Sequence, residues 1–239
     1  MISLTNIKIL IEKELKHYIN TPPSYVLASV FLLLCGYFFS QPLFLINQSN
    51  LNSITDIAPL ILTFFAPALS MKLIAEERKT QTIEIIMTLP FSEEEIIISK
   101  YISASLIMLS TISLMFIYAI TLYSLSSPDS GHIIGSYLAI FLCSLSFLSI
   151  GIFSSTLSSS QINAFIIGFA ISFFFYLAGK ITFFVPTNLQ SLVNYIGVDS
   201  HISNISRGVV DLKDLIYFLS IIFIFNYLSI YKLKLMRFG

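Results

Sequence analysis

Residues 71–100 read MKLIAEERKTQTIEIIMTLPFSEEEIIISK, a charged, helix-forming insert between two apolar runs long enough to cross a bilayer. Met71–Ile86 contains no glycine or proline and is rich in helix formers, so the helix entering this stretch should continue into water. Leu89-Pro90 then breaks it, because proline removes a donor and disfavours helical backbone in the residue before it. Ser92 followed by Glu93-Glu94-Glu95 restarts a helix. Ser92 as N-cap and Glu95 at the third helical position form a capping box, and three acids in the first turn suit the helix dipole. The spacing therefore predicts helix, sharp turn, helix, projecting from a membrane.

The rest of the chain supports that membrane. Of 239 residues, 56% are hydrophobic and 11% charged, against about 25% charged in soluble domains. No Asp, Glu, Lys or Arg occurs in 17–55, 101–128 or 130–179. A spanning helix needs about 20 apolar residues, and a soluble helical core would need charged faces that these segments lack. The fold expected is an all-α polytopic membrane protein of six transmembrane helices, near Ser24–Ile46, Asp56–Ile74, Ile97–Leu125, Ile133–Leu157, Asn163–Val185 and Leu215–Tyr231. The whole of 1–239 forms one domain: an interfacial helix (1–20), spans one and two (24–74), a cytoplasmic loop (75–96), spans three to five (97–185), an external segment (186–213), then span six and a tail (214–239). In Ser3–Ile19, Leu4, Ile7, Ile11, Leu15 and Tyr18 recur at helical spacing opposite Lys8, Glu12 and Lys16, the pattern of a helix lying in the interface. With both termini cytoplasmic, ten of the thirteen basic residues lie inside, which sets the orientation. The first span is expected to act as an uncleaved insertion signal.

Zero net charge excludes a basic nucleic-acid binder. Cys35 and Cys143 lie within spans without metal-ligand spacing, and His17, His132 and His201 have no sequence neighbour that would make a metal site, so no metal is expected. Lys180 is the one ionisable residue well inside an apolar run; it either faces a cavity or snorkels outward toward Pro186. Gly131-x-x-x-Gly135 either allows close helix approach or marks a loop.

Beyond these patterns, PALSMKLIAEERKTQTIEIIMTLPFSEEEIIISKY resembles the cytoplasmic loop of ABC-2-type transporter permeases, most closely the gliding-motility and copper-processing branch. EKELKHYINTPPSYVLASVFLLLCGYFF resembles that family's interfacial helix and first span. SIGIFSSTLSSSQINAFIIGF is similar to its turn between spans four and five, and NISRGVVDLKDLIYFLS to its approach to span six. At Gln81 the chain departs from the glycine usual before the threonine, which should stiffen that turn. The resemblance implies a type V exporter-like permease in a bacterial cytoplasmic membrane. Two permease subunits, identical or paralogous, would each dock a cytosolic ABC ATPase. ATP and Mg would sit on that partner, since the chain has no G-x-x-x-x-G-K-[ST] motif and needs no cofactor of its own. It assigns Leu89, Pro90, Phe91, Ser92, Glu93, Glu94 and Glu95 to the coupling tip, and Glu76, Glu77, Arg78 and Glu84 to its charged support. Arg207, Gly208, Asp211 and Asp214 become candidates for an external gate. An ion-coupled secondary transporter or a non-transporting ATPase anchor are the alternatives. The sequence shows no inverted repeat, and only Lys180 as a candidate for the buried ionisable groups of the former.

Overall fold

The computed structural model describes residues 3–45, 51–125, 128–182 and 185–238. The described residues form twelve helices: α1 (Leu4–Asn20), α2 (Pro22–Leu45), α3 (Asn52–Ser70), α4 (Lys72–Lys79), α5 (Thr82–Thr88), α6 (Glu93–Leu114), α7 (Phe116–Leu125), α8 (Ser130–Leu157), α9 (Gln161–Ile181), α10 (Thr187–Ile196), α11 (Val198–Ser206) and α12 (Leu212–Phe238). Six helical runs among them are long and apolar enough to cross a membrane: Pro22–Phe44, Asn52–Lys79, Glu93–Leu125, Ser130–Leu157, Gln161–Ile181 and Leu212–Arg237. They match the six expected spans. Ile46, expected to end the first, lies outside the described residues, as do residues 183–184 near the end of the fifth.

Helix α8 is the central post, packed against α3, α4, α6, α9, α11 and α12. Its buried face is built from small residues, with Ser144, Ser146, Ser149, Gly151, Ser154 and Ser155 all enclosed. In lipid the space between helices is closed by such residues, because apolar bulk gains nothing over lipid tails. Ser144, Ser149 and Ser154 each donate to the carbonyl three residues before, so their burial leaves no unpaired donor. At Gly151 a Cβ would meet Ser70 Oγ and Pro67 Cα, and at Gly168 it would meet Ser154 Oγ and Pro67 Cβ. The Pro67–Ser70 turn of α3 thus nests between α8 and α9.

The third span bends at Met115, between α6 and α7. There the Tyr137 hydroxyl of α8 donates to Met115 O at 2.5 Å, and Phe116 stacks on the Tyr137 ring. Met115 O keeps a tighter-turn bond from Tyr118 N at 2.9 Å, and a side chain inserted at a helical carbonyl is an established cause of such a break.

An even number of spans puts both chain ends on one side of the bundle, and most of the charge gathers there with α1, α4, α5 and the ends of α6 and α12. The opposite end carries α10 and α11. The expectation of one helix over Met71–Ile86 is corrected: α4 stops at Lys79, and α5 begins at Thr82. Gln81 makes the turn in the left-handed region (φ +59°). Glycine, expected there from the resemblance, adopts this conformation freely, whereas a Cβ costs about 1 kcal/mol. Gln81→Gly is expected to stabilise the turn by up to that amount, read as a small rise in melting temperature in detergent. An unchanged or lower value would show that the glutamine side chain compensates.

Candidate functional site

The charged end is organised around Lys100, about two turns into α6. Its ammonium lies 2.8 Å from Glu14 Oε1 on α1 and 2.8 Å from Glu77 Oε1 on α4. Lys100 and Glu14 are buried, and Lys13 borders the cluster at 3.6 Å from Glu77 and 3.8 Å from Glu14. Three separate helices therefore meet on one buried cation. Such a group persists in a low-dielectric setting only with partners of opposite charge. The face of α1 that packs inward is Leu10, Glu14 and Tyr18, the glutamate being drawn in by Lys100. The Tyr18 hydroxyl donates to Leu69 O at 3.1 Å, tying α1 to the end of α3 as well.

Two further clasps hold the insert. Ser155 Oγ accepts from the amides of Ile74 and Ala75 at 3.0 and 2.9 Å and donates to Met71 O at 3.0 Å. The free backbone groups at the start of α4 are thereby capped by α8. Arg78 Nη1 donates to Thr156 O at 2.9 Å. In the other direction, α6 begins with the expected capping box: the Glu95 amide donates to Ser92 Oγ, and the Ser92 amide to Glu95 Oε2. Glu95 also accepts from the Ser3 amide at 2.6 Å and lies near Asn6 Nδ2. One carboxylate thus caps α6 and anchors the N-terminal end of α1.

The sequence-derived site residues divide accordingly. Glu77, Arg78, Ser92 and Glu95 face inward and hold the assembly. Glu93 and Glu94 pair with the end of α12, at 2.7 Å from Arg237 and 3.1 Å from Lys234. Phe91 packs against the core. Exposure is left to Glu84, Leu89 and Pro90, with Glu76 half-buried. Ile85, which is 63% exposed, joins Leu89, at 44%, to make a bare apolar tip. Reasoning from the sequence missed Lys100 and Glu14. Their signal was slight: a lysine at a helix start and a glutamate off the polar row of α1.

At the opposite end, Gly135 admits the backbone of α11: a Cβ there would lie 2.2 Å from Ile205 O. Gly131 packs on Gly208, whose φ is +83°. Within Gly131-x-x-x-Gly135 it is therefore Gly135 that the close approach requires. Asp214 is fully buried, 2.5 Å from His201 Nδ1, while His201 Nε2 lies 3.0 Å from Tyr195 O and its ring stacks on Tyr217. His201 thus has a buried carboxylate partner, 13 positions away in the chain. Lys180 pairs with Asp199 at 2.6 Å and is partly exposed, in agreement with snorkelling. Asp211 pairs with Lys213 at 3.0 Å on the surface, and Arg207 is exposed beside a polar hollow of about 610 Å³ that Asp56, Asp129 and His132 also line. The four gate candidates therefore do not converge on one point. No group of three or more potential metal ligands exists among the described residues.

A family model described as ABC-2 family transporter protein matches residues 8–238. The chain belongs to the ABC-2 transporter family. No curated protein matches it. The match spans all six apolar runs, as a transmembrane permease of that family would. Membrane subunits of this family carry no ATPase of their own.

Proposed function

We propose that this chain is the membrane-spanning permease subunit of an ATP-driven ABC-2-type exporter in a bacterial cytoplasmic membrane, with both termini cytoplasmic. A separate cytosolic ABC ATPase would bind Mg and ATP and dock on the charged end, and a second permease subunit would complete the path. Membership of the family and the bias of basic residues toward the charged end support this reading. The observation that carries it is the combination at that end of a rigid base with a bare tip. Lys100 ties α1 and α4 to the third span, so a push on either helix is delivered to α6. Ile85 and Leu89 stand unpaired on the same assembly, as apolar anchors at an interface would. On the resemblance of its loop we assign the chain to the gliding-motility and copper-processing branch.

Docking by the tip predicts a specific loss. Ile85→Asp with Leu89→Asp should lower the amount of co-purified ATPase at least ten-fold, with the permease's melting temperature unchanged. Equal co-purification would remove the tip from the interface. Glu94→Lys is expected to have little effect on stability, because its partner Lys234 is about as exposed as it is, and such pairs contribute about 0–1 kcal/mol.

A further inference from the structure

A cleft of about 640 Å³ opens at the charged end between α1, the first turn of α2 and the α3–α4 junction. Its walls change character along their depth. Lys13, His17, Lys72 and Glu76 surround the outer part, while Val26, Leu27 and Leu69 line the part toward the membrane. Ser24, Leu27 and Leu69 are shared with a narrow apolar crevice that continues between α2, α3 and α6 past Phe31, Phe65 and Met108. Charged mouth, apolar throat and apolar crevice thus follow one another in the order of a lipid's headgroup, glycerol region and chain. The depth is right as well. Pro22 and Pro23 line the cleft where the first span begins, and amphipathic α1 forms its roof at the level of an interfacial helix.

The charges at the mouth are not all committed. Glu14 and Glu77 are held by Lys100, whereas Lys72 has no hydrogen-bonding or ionic partner among the described residues although it is half-buried. Lys72 on α4 and Lys13 on α1 face the cleft from opposite walls. The Glu76 carboxylate, on the same wall as Lys72, is likewise without a partner among the described residues and suits a hydrogen-bond donor.

We propose that this cleft binds one glycerophospholipid of the adjoining leaflet. Its phosphate is held by Lys72 and Lys13, the ammonium or hydroxyl of its headgroup by Glu76, and the start of an acyl chain lies along Val26, Leu27 and Leu69, over the mouth of the crevice. The bound lipid fills the gap between α1 and α2, which otherwise touch little. This assignment rests on the membrane fold alone and stands whether or not an ATPase docks nearby.

Native mass spectrometry of the full chain, purified in mild detergent and offered phosphatidylethanolamine or phosphatidylglycerol, tests it. One phospholipid per chain is expected to survive. Lys72→Glu should cut its occupancy at least ten-fold, and Leu27→Trp, which fills the throat without changing charge, should do the same. Lys213→Glu at the opposite end should leave occupancy unchanged, and the melting temperature of each variant verifies its fold. Lack of a retained lipid in the parent chain would overturn the proposal. Retention unaffected by both cleft variants would do so too, by placing the lipid elsewhere. Loss in Lys72→Glu alone would contradict it as well, because an ion rather than a lipid would then occupy the mouth.

Discussion

Lys100→Met is expected to destabilise the charged end by about 3–5 kcal/mol, the usual penalty for removing one partner of a buried ion cluster. The substitution keeps the length of the side chain and leaves Glu14 and Glu77 facing each other with their shared cation gone. Lys13 sits 3.6–3.8 Å from the two carboxylates but is 55% exposed, so it offsets only part of the loss. The same reasoning predicts recovery: Glu14→Gln, Lys100→Met and Glu77→Gln together remove every charge that needed the others, and most of the stability should return. Thermal unfolding in detergent reads the first effect, and proteolysis between α1 and α2 reads its location. The triple variant separates stability from transmission. It should fold well, yet transmit poorly, because neutral contacts replace the ionic clasp between α1, α4 and α6. If Lys100→Met melts like the parent, the cluster holds nothing.

Gly135→Ala is expected to undock the α11 segment from α8. The new Cβ would lie 2.2 Å from Ile205 O, 3.1 Å from Gly208 N and 3.2 Å from Gly208 Cα. All three are backbone atoms, so no side chain can swing away to relieve the clash. Overpacking of this kind costs about 1–3 kcal/mol, occasionally more, and the backbone contact puts Gly135 at the upper end. Lifting α11 also separates His201 from Asp214, leaving a buried carboxylate without its partner. Hydrogen exchange over 186–213 should rise several-fold. Gly131→Ala is the control: its nearest neighbour is Asp129 Oδ1 at 3.3 Å, at the exposed start of α8, so its effect should be small. Equal effects of the two substitutions would contradict the close packing at Gly135.

Local features of this fold were legible in the chain. Long charge-free runs marked the spans, Leu89-Pro90 marked the break, and Ser92 with Glu95 spelled out a capping box that the structure contains. What escaped were relations between distant residues. Glu14 lies 86 positions from Lys100, and Ser3 lies 92 from Glu95, so no periodicity within a helix connects them. Glu95 looked like capping chemistry or a docking acid, and its second partner, at the start of α1, could come only from the packing of α1 on α6. Thr80-Gln81 carries no breaker residue, and the turn there is held by the Thr80 and Thr82 hydroxyls, which donate to Glu76 O and Glu77 O. His201 and Asp214 are separated by 13 residues, the glycine-marked turn at Gly208 among them, and only the folded end brings them together.

Under the proposed function, the charged end of this permease receives an ATPase at the tip formed by Ile85 and Leu89. The most direct test of that docking places a photo-crosslinking amino acid at Leu89 in the full-length chain, illuminates intact cells and identifies the adduct. The account predicts a crosslink to a cytosolic protein carrying an ATP-binding G-x-x-x-x-G-K-[ST] motif, lost when Ile85→Asp is added. Adducts confined to lipid, or to the permease itself, would contradict it.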